Sequence, residues 1–358
     1  MTSLDWLRLY RSENVGPATF FRLIERYGSA AKALEALPDL AQRGGKKQFR
    51  LYPREAAEKE LAALKRIGAS LLTAEDPGFP EALQALEIVP LLTVWGDPSL
   101  LTKPSVAIVG GRDASLNGRK IAHMMAQELG RAGFTIVSGL ARGIDTAAHQ
   151  GALATGTVAV LAGGVDQIYP PENAKLHAAI VESGCVVSEM PPGTVAQAQH
   201  FPRRNRIVSG LAQGVALVEA KLRSGSLITA RLALEQGREL FAVPGSPLDP
   251  RSQGCNDLIK QGAALVETAE DIISSLGMLP VFTVKPRGTP VSASDEDYKT
   301  LSEAQKMVAS LLGVTAVTVD EILRQCQLSP STLSLVLLEL ELAGRLERHP
   351  DMSVSLRA

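Results

Sequence analysis

Aromatic side chains are scarce in this chain: 8 Phe, 5 Tyr and 2 Trp make up 4% of 358 residues. That limits any binding surface built mainly from stacked rings. Cysteine is scarcer still. Cys185, Cys255 and Cys326 are odd in number and far apart, which leaves no disulfide framework and no close-spaced zinc motif and fits a reducing compartment. No apolar run reaches the length of a membrane span. The opening MTSLDWLRLY lacks the basic start and long apolar stretch of a signal peptide, so a soluble cytoplasmic protein is expected. Net charge is nearly absent, at −1. A uniformly basic protein is excluded, but a local basic groove is not, because distribution matters as much as the total. There is no GxxxxGK[ST] phosphate loop and no cluster of acidic metal ligands, which argues against a standard ATPase or two-metal nuclease. No cofactor and no metal are expected.

What is present is 45% hydrophobic sequence, enough for two or three domains with a sizeable core. Residues 1–70 read as a small helical unit. A Gly16-Pro17 turn precedes a helix with Phe20, Leu23 and Ile24 on one face, extended by Tyr27, and Gly28-Ser29 marks a break and a new start. Such a unit either grips a DNA backbone through exposed amides or serves as a packing module. The second reading is preferred.

Residues 71–276 alternate strand-like and helical runs. VAIVG (106–110), TIVSG (135–139), VAVLAG (158–163), CVVSE (185–189), GVALVEA (214–220) and ELFAVPG (239–245) are apolar without clean alternation, as in a parallel sheet covered on both faces. Helices are expected near 118–131, 144–154, 172–183, 202–212 and 226–236, with LLTVW (91–95) as an extra strand. The class is α/β, an extended Rossmann-like and mostly parallel sheet, with ligands beyond the carboxyl ends of its strands. Residues 277–299, rich in Pro, Gly, Ser and Thr, read as a linker. Residues 300–358 read as a winged-helix module, with Ser302 and Gln305 spaced for a capping box.

The loops after the strands carry the candidate site. Gly110 and Gly111 permit close backbone approach, and Arg112 can contact phosphate, but GGRDASLNG lacks the GxGxxG spacing of a dinucleotide fingerprint. An oxidoreductase is therefore not expected. Ser138, Gly139, Arg142 and Gly143 follow the second strand, ahead of a helix start that favours anions. Asp145 would repel phosphate there, so it is expected to cap the helix or orient Arg142; His149 is expected to be structural. Tyr169 is placed equally between ligand contact and local packing. In QHFPRRNRIVSG, Phe201 can stack on a base, and Arg203, Arg204 and Arg206 can neutralise phosphates, with one arginine expected to turn inward. Ser224, Gly225, Ser226 and Thr229 open another helix with unpaired amides. Cys255 has no paired base and reads as a packing thiol.

VGGR, SGLARGIDTAAHQGAL, FPRRNRIVSGLA, EAKLRSGSLITA and FAVPG occur in the order seen in the DprA/Smf family, and the chain resembles that family over residues 1–275. The resemblance implies an extended Rossmann fold with a SAM-like N-terminal module and a winged-helix tail. It also implies a non-enzymatic dimer that binds single-stranded DNA during natural transformation and loads RecA, including onto DNA covered by single-strand-binding protein. Gly111 stands where the family commonly has serine, so one possible hydroxyl contact is missing while Arg112 is kept. The tail departs from a duplex reader. Over residues 301–349 six Asp/Glu outnumber four Lys/Arg, a balance of −2, which favours a protein-contact or regulatory role. Its LSLVLLELELAGRL helix is expected to bury mostly within the tail. Two rivals remain at this point. One is an enzyme acting on a nucleotide or nucleoside phosphate, with Glu219 or Asp145 assisting. The other is a scaffold whose arginines form internal ion pairs.

Overall fold

The computed structural model describes residues 3–277, 297–313, 315–326, 328–349 and 353–357. The expected linker therefore falls, over 278–296, outside the described residues. By contacts the chain divides into Met1–Glu58 with Pro286–Ala358 as one unit and Lys59–Lys285 as the other. Among the described residues no helix is long and apolar enough to cross a membrane.

The first unit begins with α1 (Ser3–Arg11). Pro17 starts α2 (Pro17–Tyr27) in its first turn, where a missing N–H is harmless. Phe20, Leu23 and Ile24 are buried, and Trp6 meets Phe20 with ring centroids 4.8 Å apart. Gly28 ends α2 at φ 73°. Ser29 then caps α3 (Ala30–Arg43) by accepting from the Lys32 amide at 3.3 Å.

α4 (Arg54–Ile67) leads to β1 (Ser70–Thr73), the short α5 (Glu81–Ala85) and β2 (Leu91–Gly96). A strand–helix alternation follows: β3 (Ser105–Gly110), α6 (Leu116–Arg131), β4 (Thr135–Ser138), α7 (Ile144–Ala152), β5 (Thr157–Leu161), α8 (Ala174–Ser183), β6 (Cys185–Ser188), α9 (His200–Leu211), β7 (Gly214–Val218), α10 (Gly225–Glu235) and β8 (Glu239–Ala242). α11 (Gln253–Lys260), β9 (Ala264–Leu265) and α12 (Ala269–Leu276) complete the unit. The nine strands form one sheet in the order β1-β2-β6-β5-β4-β3-β7-β8-β9. β1 and β2 are antiparallel additions, and the pairings from β6 to β9 are all parallel. The mixed α/β class is thus as expected. β1, α5, β9, α11 and α12 were not read from the sequence.

The interior strands are buried along their whole length, which explains their lack of alternation. On one face Val106, Ile108, Ala216, Val218 and Phe241 pack with Met125, Leu129, Ala148 and Ile272 from α6, α7 and α12. From β3 the chain builds outward through β4, β5 and β6, then returns to place β7 on β3's other side. The loops after β3 and β7 diverge at that reversal, and an α/β sheet opens a crevice there.

The first unit closes with α13 (Asp297–Leu311), β10 (Val317–Thr318), α14 (Val319–Cys326), α15 (Pro330–Leu342), β11 (Leu346–Arg348) and β12 (Ser353–Leu356). The strands form a small antiparallel sheet in the order β10-β12-β11. α13 starts five residues before Ser302, so that serine lies inside the helix and does not cap it. α15 is apolar nearly all round: Leu333, Leu335, Val336, Leu337, Leu338, Leu340 and Leu342 are buried. Besides its packing on α13 and β11 within the tail, α15 also packs on α2 and α3. A Cβ on Gly44 would lie 2.1 Å from the Glu339 carbonyl oxygen, so glycine permits that approach. Asn14 Nδ2 donates to the Leu342 carbonyl at 2.9 Å, and Glu341 accepts from Thr19 at 2.9 Å, Arg22 at 3.3 Å and Arg348 at 3.0 Å.

Candidate nucleic-acid interface

A cleft of about 490 Å³ opens at the β3/β7 reversal. Gly110, Gly111 and Arg112 enter it from the loop after β3, and Gly139 from the loop after β4. Phe201 and Arg204 come from α9, and Ser224, Gly225, Ser226 and Thr229 from the start of α10. Ten of the fifteen sequence-derived candidates therefore share one cavity, while Ser138, Arg142, Gly143, Arg203 and Arg206 are not among its lining residues.

The glycines show how the floor is built. A Cβ on Gly110 would lie 1.9 Å from the Val218 carbonyl oxygen, so β3 and β7 run too close for a side chain there. Gly143 has φ +79°, and a Cβ on it would meet the Gly111 carbonyl oxygen at 2.3 Å. It belongs to the support of the Arg112 loop. Gly139 faces Arg204, whose Nη1 would lie 2.1 Å from an added Cβ.

Arg204 is buried at 7% exposure, and its Nη1 donates to the carbonyls of Gly139 and Val160. It pins the end of β4 to β5 from α9. Beside it, Asp145 is buried and accepts from the amides of Gly139 at 3.1 Å and Ala141 at 3.3 Å. Burial raises the Asp145 pKa, against the pull of Arg204 and those amides. Asp145 does not orient Arg142, which is exposed and paired instead with Glu172. His149 accepts from the Leu140 amide at 3.3 Å and shares a 2.7 Å hydrogen bond with Thr157. Burial, reinforced by Arg204, pushes its pKa down to about 3, so the ring is neutral and structural. Ser138 is fully buried and donates to the Ile108 carbonyl at 2.6 Å.

Arg206 turns inward to Glu189 and the Ile88 carbonyl, whereas Arg203 is exposed. Phe201 is half-buried. The Arg112 and Arg204 guanidinium carbons lie 5.3 and 6.0 Å from its ring centroid, and Tyr169 meets it edge-on at 5.7 Å. Cations over the ring thus occupy part of the stacking surface expected for a base. Cys255 is buried, its thiol pushed up to about 11 by burial, as suits a packing residue.

Three cations in the cleft were not singled out from the sequence. Lys221 and Arg223 are exposed on the loop after β7, and Arg251 reaches in from beyond β8 while bonded to Asp249. The signal for the first two was available in EAKLRSGSLITA, on the loop that leaves β7 at the reversal. Arg251 carries no local signal. Glu219 at the end of β7 has φ +53°, a region costing a side-chain-bearing residue about 1–2 kcal/mol. Its carboxylate accepts from both the amide and the hydroxyl of Ser115. Charge-assisted hydrogen bonds of about 1.5–3 kcal/mol each outweigh that strain. Among the described residues no group of three His, Cys, Asp or Glu could hold a metal ion.

Fold and cleft together define an α/β protein whose strand-order reversal presents cations suited to an anionic ligand. The chain belongs to the family described as DNA recombination-mediator protein A, whose model matches residues 70–277. A DprA-like N-terminal HHH domain matches residues 1–63, and a DprA winged helix domain matches residues 292–352. Protein Smf of Escherichia coli is 39% identical over 315 residues, covering 87% of this chain and 83% of that protein. The Streptococcus pneumoniae DNA processing protein DprA is 46% identical over 202 residues, covering 56% of this chain and 71% of that protein. An X-ray structure of DprA from Streptococcus pneumoniae superposes with TM-score 0.66 at 36% identity, covering 76% of this chain and 98% of that one. A Helicobacter pylori DNA processing protein A structure, described for its single-stranded DNA binding mode, gives TM-score 0.53 at 33% identity over 58% of this chain and 95% of that one. The resemblance read from VGGR through FAVPG is therefore correct.

Proposed function

We propose that this chain is a non-enzymatic recombination mediator that binds single-stranded DNA in the β3/β7 cleft and loads RecA onto incoming DNA during natural transformation. The architecture we assign it is an extended Rossmann-like domain with a SAM-like N-terminal module and a winged-helix C-terminal module. It acts as a cytoplasmic homodimer, also on strands covered by single-strand-binding protein. The observation that carries the DNA reading is the set of Arg112, Lys221 and Arg223, exposed at the mouth of one cleft. Separated cations on flexible stems suit successive phosphates of a strand. The Helicobacter pylori relative, described for single-stranded DNA binding, supports the same reading. The non-catalytic reading is supported by the committed state of the acid and base candidates. Asp145 is taken by backbone amides, Glu219 by Ser115, and His149 is held neutral.

Fluorescence anisotropy with a labelled oligo-dT, across a salt series, tests the binding. Affinity should fall with salt at a slope of about −0.7 for each phosphate neutralised. Folded protein that fails to bind at low salt would refute the reading. RecA loading is checked by the lag before RecA ATPase starts on DNA coated with single-strand-binding protein. The lag should shorten when this protein is added.

A further inference from the structure

We infer that Glu219 is a positioning and specificity-determining residue. Its carboxylate fills the α6 N-terminus, which keeps terminal phosphates and pyrophosphate off that helix and fixes the loop that carries Arg112. The inference deepens the single-strand reading above and rests on it for the polymer ligand.

Ser115 is the N-cap of α6, and its hydroxyl accepts from the Gly118 amide at 2.9 Å. In a capping box the third helical residue returns a carboxylate to the N-cap amide. Here that residue is Gly118, which has no side chain. The carboxylate comes instead from Glu219, 104 residues further on: the Ser115 amide donates to Glu219 Oε2 at 2.7 Å, and the Ser115 hydroxyl donates to Oε1. The substitution is spatial as well as chemical, since a Cβ on Gly118 would lie 2.5 Å from the Glu219 carboxyl carbon. The Glu219 main chain also comes close to the other end of the same loop. Its carbonyl oxygen would lie 3.0 Å from a Cβ on Gly111. Arg112 therefore sits between two points that a single residue approaches.

The position filled by the carboxylate gives the arrangement its meaning. In nucleotide-binding α/β folds the first helix after the first parallel strand receives the phosphate at its N-terminus. In this chain an anion built into the protein already holds that place, and a compact phosphate group would meet a like charge. The cations exposed at the rim are Arg112, Arg223 and Lys221, the last 3.8 Å from Asp113, and separate cations suit the successive charges of a polymer better than one compact anion. The same residue thus disfavours the nucleotide-enzyme alternative and favours a polymer.

The test uses Glu219→Gln, Glu219→Ala and Arg112→Ala in the full chain, with inorganic pyrophosphate and oligo-dT as separate probes. Calorimetry without DNA should show pyrophosphate binding at least about tenfold tighter to Glu219→Gln than to wild type, because one acceptor oxygen stays while the charge goes. Equal affinities would overturn the exclusion role, whatever the protein does with DNA. In anisotropy, Glu219→Ala should weaken oligo-dT binding about tenfold, and adding Arg112→Ala should weaken it little further. Fully additive losses would overturn the positioning role. If the alanine variant fails to fold, the glutamine variant enters the same cycle with a smaller expected loss and the same criterion. Wild-type protein that ignores oligo-dT at low salt would refute the parent reading alone, since the pyrophosphate comparison would still stand.

Discussion

α9 and α15 are both helices that a reader of DNA-binding proteins would place against nucleic acid, and the structure uses them in opposite ways. α9 carries Arg203, Arg204 and Arg206 and lends the cleft a buried guanidinium and an aromatic ring. α15 is sunk among apolar neighbours and braced by α2 and α3. Charge follows the same division. Around α9 the carboxylates of Asp145 and Glu219 are spent on backbone amides, and although Arg206 is paired with Glu189 and Lys221 lies 3.8 Å from Asp113, Arg112 and Arg223 stay exposed at the rim. Around α15 Glu341 draws in Arg22 and Arg348, so that cations there are spent on structure. On the proposed reading, a binding surface differs from a joint in which sign of charge the fold has already consumed.

The sharpest way to break this contrast is to remove Arg204. Its guanidinium is buried, holds two strand-end carbonyls and lies beside a buried carboxylate. Arg204→Ala should lower stability by about 3–5 kcal/mol, because Asp145 and both acceptors would be left in an apolar floor. Urea unfolding measures it. A loss below about 1 kcal/mol would show that Arg204 is not the floor's cross-link. Arg204→Lys should not recover the loss, since one ammonium cannot reproduce the planar fork.

α15 offers the counterpart. Glu339 is 2% exposed, its Oε1 has no hydrogen-bond partner among the described residues, and burial raises its pKa to about 7 against the pull of Arg43 and Arg26. A carboxyl whose folded pKa lies above its unfolded value of 4.5 binds a proton on folding between those values. The contribution of Glu339 to stability is therefore greatest below pH 4.5 and falls as pH rises towards 7, by about 3 kcal/mol at neutral pH. Glu339→Gln should remove that slope and raise Tm at pH 8, with the gain vanishing near pH 4.5. A mutant and wild type with parallel pH profiles would show that Glu339 is ionised at no cost.

These two sites also show what could be read in advance. The loops were legible because Gly, Ser and Arg follow apolar strands at a sheet's carboxyl edge, and ten of those candidates do meet. That one arginine of the cluster turns inward was legible too, though not which one. Arg204 lies three, four and seven residues before Ile207, Val208 and Leu211, on the stripe that must face the core. Arg206 was not legible, because its partner carbonyl at Ile88 is 118 residues distant. Nor was Gly44, whose backbone is ordinary and whose need for glycine comes from Glu339, far along the chain. Short-range pattern reports which face a residue occupies; only the folded chain reports what arrives there.

The smallest effects give the finest test of the contrast, because they compare single cations in the two units. Arg112, Lys221 and Arg223 are exposed at the cleft, and Arg324 is exposed on α14. All four are charged and solvated, so general electrostatic attraction would treat them alike. Contact with a strand held in the cleft would not. Each cleft cation changed to Ala should weaken oligo-dT binding about three- to tenfold across unrelated sequences and reduce the salt slope by about 0.7, since one phosphate loses its partner. Arg324→Ala should leave both affinity and slope unchanged within error. If Arg324→Ala lowers the slope as much as Arg112→Ala does, the DNA path extends onto α14, and the division between a binding unit and a braced one would have to be redrawn.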